Sequence, residues 1–355
     1  MIPWAIVRRS SRQTAVLAFL VTAAACGGSS SDGGNGTGSG NPDGADAGGG
    51  GGGGGADGGS GGGTGNDGGG AQLADGGGAG KDGGGTAGDY GSDGPFATTT
   101  MTEKASNGKS MFTVVVYLPS GKGPFPVVIL SSGLQQSAAG YAPYGKRLAS
   151  WGIAAILRDD PGFATQSTAI QADVEGLVVS WLPTADGGIY DATRVGLAGH
   201  SRGGQVSLLA AENGLLTKTK GLFLLDPVDN ASASVKPKIA TLGVPLAMLG
   251  ETTDSGGMDC APAADNYASM YALAATPALS ITAAGADHVM FEDPASCTLC
   301  GFCAKGTADA AKVLALSERL MTAFFARTLL GDKTIDATLG TAADVKAGTI
   351  TVESK

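Results

Sequence analysis

Two kinds of apolar pattern alternate along the later part of the chain. Short runs with few or no polar breaks fall at 111–118, 125–130, 152–157, 195–198, 221–225, 244–249 and 278–282. They are rich in Val, Ile and Leu, as strands buried on both faces must be. Between them, 141–151, 170–182, 205–212 and 308–330 carry apolar residues at helical spacing. Strand–helix alternation predicts an α/β domain, with a mostly parallel central sheet covered by helices on both faces. Beyond residue 330 the pattern weakens, and only a short C-terminal arm is expected.

The beginning of the chain breaks this pattern. Arg8, Arg9 and Arg12 precede an apolar stretch at 14–21 that is too short to span a bilayer. Thr22-Ala-Ala-Ala-Cys26 follows. Small residues before a cysteine resemble a bacterial lipobox, so 1–26 is expected to be a lipoprotein-type signal segment with Cys26 lipidated. Ala23 stands where Leu is usual, and ordinary cleavage after the alanines, giving a secreted product, is the alternative. Residues 27–95 are mostly Gly, Asp, Ser, Asn and Ala, and cannot repay the entropy of ordering. They predict a disordered tether; a Gly-rich coil of this length spans about 45 Å root-mean-square. The folded domain is then 96–355, long enough for one substantial core.

Net charge is −9, and the tether alone holds nine Asp against one Lys. The domain is therefore only mildly acidic. Nothing in that balance suggests nucleic-acid binding, and none is expected. Membrane contact is expected through the N-terminal lipid only, and the domain is expected to be monomeric.

The chemistry centres on Gly199-His-Ser-Arg-Gly203, a G-x-S-x-G pattern between an apolar run and a helix. A serine on so tight a strand-to-helix turn stands clear of the sheet, and only small residues fit two places to either side. The helix beyond points its N–H groups at developing negative charge. Ser201 is the expected nucleophile and needs a base. The chain has two histidines. His200, beside the serine, should point away from its hydroxyl, which leaves His288, after the last predicted strand. The acid must follow a strand between them. Asp226 follows 221–225 directly and Asp254 follows 244–249, with Asp229 and Glu251 as weaker neighbours. Position alone slightly favours Asp254.

Gly-His-Ser-Arg-Gly-Gly at 199–204, Asp-Pro-Val-Asp at 226–229 and Cys-Ala-Pro at 260–262 together resemble the chlorophyllase family of α/β-hydrolases. The apolar run at 125–130 and Leu-Ala-Ser-Trp-Gly-Ile at 148–153 resemble that family and its relatives, the dienelactone-hydrolase-like and polyester-cleaving esterases. The resemblance covers roughly 110–330. It implies the α/β-hydrolase fold and makes Asp226, in the Asp-Pro-Val context, the preferred acid. It also implies two backbone donors for an oxyanion: Arg202, next to the nucleophile, and Leu134 in the loop after 125–130, with Gln135 as fallback. Ser132 stands where relatives usually have His.

Cys260, Cys297, Cys300 and Cys303 are an even set in an exported chain, so two disulfides are expected, their pairing open. The Cys297-x-x-Cys300-x-x-Cys303 spacing, with Cys260 as a fourth ligand, is the metal or iron–sulfur alternative. The leading expectation is a cofactor-free and metal-free serine hydrolase acting on a small-molecule or lipid-like carboxylic ester at the cell envelope. A catalytically silent, ligand-binding lipoprotein of the same fold is the alternative.

Overall fold

The computed structural model describes residues 89–162, 165–253, 259–295 and 303–355. The signal segment with Cys26 and most of the tether lie outside the described residues. So do Asp254, Cys297 and Cys300.

In chain order the elements are β1 (Thr98–Ser106), β2 (Met111–Pro119), β3 (Phe125–Ser131), α1 (Ala142–Ser150), β4 (Ala154–Arg158), α2 (Thr168–Trp181), β5 (Tyr190–His200), α3 (Arg202–Ala210), β6 (Thr219–Leu225), β7 (Leu246–Gly250), α4 (Tyr267–Leu273), β8 (Ala278–Ala283), α5 (Ala310–Phe325), α6 (Ala342–Ala347) and β9 (Ile350–Ser354). Among the described residues the strands form one nine-stranded sheet in the order β1-β2-β4-β3-β5-β6-β7-β8-β9. From β4 through β8 every pairing is parallel, while β1, β2 and β9 pair antiparallel at the two ends.

The central strands are apolar over most of their length because both their faces are covered there; Asp191 to Arg194 of β5 and Lys220 of β6, which are partly or fully exposed, depart from this. Val127 and Ile129 of β3, with Leu222 and Leu224 of β6, face the core shared with α2, α3 and α4. Val128 and Leu130, with Phe223 and Leu225, face the opposite core, filled by α1 and α5. The alternation follows the two-residue period of a strand. Four consecutive residues of β6, Leu222 to Leu225, are 0 % exposed; burial of each such side chain contributes roughly 1.5–3 kcal/mol as an upper bound. Among the described residues, side chains close the starts of three α-helices, that of α4 through Asn266 Oδ1, which accepts the N–H groups of Ala268 and Ser269. Ser167 Oγ accepts the Ile170 N–H ahead of α2, and Asp309 Oδ1 accepts the N–H groups of Ala311 and Lys312 ahead of α5.

Three departures from the sequence reading stand out. β1 is polar, Thr-Thr-Thr-Met-Thr-Glu-Lys-Ala-Ser, because it is an edge strand with little buried surface. The C-terminal segment is more than an arm: β9 pairs with β8 and closes the other edge. The ordered domain also begins before Phe96. Tyr90 is buried, its ring 4.4 Å from that of Trp151 and its hydroxyl donating to Asp332, so the tether as drawn to residue 95 runs several residues too far. No helix among the described residues is long and apolar enough to cross a membrane.

Candidate active site

β5 ends at His200 and α3 begins at Arg202, so the whole turn is one residue. Ser201 takes φ 53°, ψ −122°, a conformation that L-residues rarely adopt. The neighbouring loop holds it there. Its N–H donates to the Leu225 carbonyl at 2.9 Å, and its own carbonyl accepts the Val228 N–H at 3.2 Å. The two motif glycines are explained by close approach. A Cβ on Gly199 would collide with the backbone of Gly203, and one on Gly203 with the carbonyl oxygens of Ser131 and Ser132.

His288 lies on the loop after β8. Asp287 pins that loop, its two carboxylate oxygens accepting the N–H groups of Val289 at 3.1 Å and Gly306 at 2.8 Å. His288 Nε2 is 2.9 Å from Ser201 Oγ, and Nδ1 is 2.6 Å from Asp226 Oδ2. The hydrogen-bond network assigns the tautomer: Nδ1–H donates to the carboxylate, and Nε2 accepts the serine proton. Asp226 is 0 % exposed and sits directly after β6 at φ 37°, unusual for a residue with a side chain. Of its sequence rivals, Asp229 is occupied elsewhere, accepting from Gln205 Nε2, Ser234 Oγ and the Val235 N–H. Glu251 is closer, since one donor atom from each of Asp226, Glu251 and His288 lies within 4.8 Å of the others. That trio has the donor types for a metal ion, but an ion there would have to displace the Nδ1–H from Asp226.

The other side of the serine is a turn at 133–136, closed by the Gln136 N–H donating to the Gly133 carbonyl at 2.9 Å. Gln135 takes φ 57°, and its N–H donates to Asp160 Oδ1 at 3.3 Å. This commitment removes Gln135 as an oxyanion donor and leaves Leu134 as the candidate in this turn. Arg202 opens α3, the helix end at which N–H groups face outward and favour negative charge. The Arg202 side chain reaches the same aspartate: its guanidinium donates to Asp160 Oδ1 and Oδ2 at 2.7 and 2.9 Å, and to the Gln166 carbonyl at 2.6 Å. Asp160 therefore joins the elbow to the turn, a role absent from the sequence reading. The signal available was a pair of carboxylates, Asp159 and Asp160, just past the carboxyl end of a buried parallel strand, where α/β sheets hold their ligands.

A profile of the chlorophyllase family matches residues 89–346. The chain belongs to the chlorophyllase family. No curated protein matches it. Membership carries the α/β-hydrolase fold, already visible in the mostly parallel sheet with helices on both faces. At a coarse level it also carries the activity of a carboxylic ester hydrolase.

In this chlorophyllase-family domain Cys260 and Cys303 are joined in a disulfide. They are therefore not ligands of a metal or iron–sulfur cluster, and the four-cysteine cluster considered from spacing does not form. The bridge ties the segment after β7 to the segment after His288. Any pairing of Cys297 with Cys300 lies outside the described residues. His200 turns to a buried tyrosine and a backbone carbonyl: its Nδ1 is 2.7 Å from the Tyr141 hydroxyl and its Nε2 is 2.8 Å from the His288 carbonyl. Burial, reinforced by the nearby His288, pushes the affinity of His200 for a second proton well below the ordinary histidine value, although the bond to the His288 carbonyl opposes the shift.

Proposed function

We propose that the domain is a serine hydrolase that cleaves carboxylic esters through an acyl-enzyme, with Ser201 as nucleophile, His288 as base and Asp226 as acid. The observation that carries the reading is the continuous hydrogen-bonded chain from Ser201 Oγ through both His288 nitrogens to Asp226, at 2.9 and 2.6 Å. Ser201 Oγ attacks the ester carbonyl carbon while its proton passes to His288 Nε2. The buried Asp226 carboxylate steadies the resulting imidazolium. Negative charge on the former carbonyl oxygen is met by the backbone N–H groups of Leu134 and Arg202. Collapse breaks the bond to the alcohol, which leaves with the proton from Nε2. Water then attacks the acyl-enzyme, gives its proton to His288, and releases the carboxylic acid and a regenerated Ser201.

The test is covalent. A fluorophosphonate should label the protein once, at Ser201, and a panel of p-nitrophenyl esters of graded acyl length should be turned over. A protein that neither labels nor hydrolyses any ester would be a silent member of the fold, and the proposal would fail. We also propose attachment to the cell envelope through a lipid on Cys26, supported by the small residues that precede it. Cys26→Ser should then move the protein from the membrane fraction to the soluble one. A wild-type protein that is already soluble would refute the anchor.

A further inference from the structure

The strand that delivers Ser201 also delivers the chain's other histidine. His200 is 3 % exposed, and its ring centre lies 4.9 Å from that of His288. Its Nε2 meets the backbone oxygen of His288 at 2.8 Å. A carbonyl only accepts, so Nε2 carries the ring proton and Nδ1 is bare. The Tyr141 hydroxyl, 2.7 Å away, must then donate to Nδ1. The same hydroxyl oxygen accepts the N–H of Gly133 at 3.1 Å. Every donor is thus oriented along one path, from Gly133 through Tyr141 and His200 to the backbone of His288. Gly133 is the residue immediately before Leu134.

We propose that His200 and Tyr141 are positioning residues for ester hydrolysis: together they tie the turn that presents the Leu134 N–H to the backbone of the base, so that oxyanion donor and base are held in one register. The inference rests on the reading of Ser201 and His288 as nucleophile and base. Oxyanion donors stabilise only charge that develops within hydrogen-bond reach of them, so a link that fixes their distance from the base matters to the chemical step.

The surroundings fit a rigid neutral link. Tyr141 is 0 % exposed. A Cβ on Gly133 would lie 3.0 Å from His200 Nδ1 and 3.2 Å from the Tyr141 oxygen, so a side chain there would crowd both and push them by a few tenths of an ångström. Phe291 closes one side of the imidazole, with ring centres 6.0 Å apart. Glu292 reaches the Tyr141 hydroxyl at 3.5 Å, a longer contact than the one to Nδ1, which leaves the tyrosine proton with His200. His200 therefore stays neutral while His288 gains and loses its proton in each turnover.

The chain's two histidines make this measurable on the parent protein, without any substitution. With ¹⁵N-labelled histidine, NMR should show the His200 imidazole as the neutral Nε2–H tautomer from about pH 5 to about pH 9. A His200 ring that takes up a second proton within that range, or that carries its proton on Nδ1, would overturn the proposal. The kinetic arm uses Tyr141→Phe and His200→Phe with p-nitrophenyl butyrate. Each should lower kcat by about tenfold to a hundredfold with KM within about threefold, the scale of a small misplacement of catalytic groups. His200→Gln, whose amide can donate to the His288 carbonyl and accept from Tyr141, should recover part of the loss. Values of kcat within about threefold of the parent in both phenylalanine variants would refute the positioning role. If those variants do not fold, the tautomer measured on the parent decides. A parent that neither labels with fluorophosphonate nor hydrolyses the ester overturns the hydrolase reading and this inference with it. An active parent with unaffected variants overturns this inference alone.

Discussion

Asp226→Asn keeps the shape of the side chain and removes its charge. The carboxylate is 0 % exposed and 2.6 Å from His288 Nδ1, so water cannot take its place. Two losses follow. The first is electrostatic: an imidazolium and a carboxylate with charge centres about 4 Å apart attract by about 4 kcal/mol at an effective dielectric of about 20. That is worth about 10³ in rate. The second is the tautomer. An amide can turn its N–H toward Nδ1, which moves the ring proton to Nε2, where it faces Ser201 Oγ and cannot accept the serine proton. Together the two should lower kcat by about 10⁴, the scale known for triad aspartates. Glu251 is close enough to lend residual negative charge, so Asp226→Asn with Glu251→Gln should fall further than Asp226→Asn alone. The assay is kcat on p-nitrophenyl butyrate, normalised by fluorophosphonate titration, with a thermal melt to establish that both variants fold. A rate for Asp226→Asn within about tenfold of the parent would refute the reasoning. A large loss in Asp254→Asn alongside it would return the acid to the loop after β7.

Ser201→Ala should abolish fluorophosphonate labelling and reduce kcat by about 10⁶, with little change in melting temperature; an unchanged rate on aryl esters would remove the serine mechanism. Replacing both Cys260 and Cys303 by Ser opens a link between residues separated by 43 in sequence, which by chain entropy should cost about 4 kcal/mol. The melting temperature should drop by about 10 °C, and no drop would show that the bridge adds no stability. Burial pushes the carboxyl groups of Glu175 and Glu292 each up from 4.5 to about 7, against the pull of Arg158 on the first and of His288 on the second. Both bind a proton more tightly folded than unfolded, so stability should fall as pH rises through that window and level off above it. Urea midpoints should be lower at about pH 8 than at about pH 5, and Glu292→Gln should narrow the gap; a midpoint that rises across the interval would contradict the assignment.

Much of the domain is legible in the sequence because the rules involved are local. A stretch of strand covered on both faces has to be apolar, and the buried parts of β3 through β8 announce themselves that way. The elbow needs glycine two places either side of Ser201, and that spacing can be seen in five residues. His288 stands out as the candidate base by elimination between two histidines. Where the rules are not local, the sequence was silent. β1 is half-exposed and polar, so it has no apolar run to find, and β9 is a strand only because β8 offers it an unpaired edge.

The proposed acid shows the difference most sharply. Asp226 and Glu251 each follow a strand, and Leu225 pairs with Leu249 across them, so both carboxylates arrive at the same end of the sheet. Which one meets Nδ1 depends on the path of the His288 loop, and that loop is held by Asp287, Gly306 and the carbonyl bond to His200. The same holds for Asp160 with Arg202 and for Tyr141 with His200, partners far apart in the chain. A residue's own neighbours dictate whether it lies in a strand, a helix or a tight turn. Which side chains then share a hydrogen bond is decided by the order in which strands pair, because only that order brings distant loops to one edge.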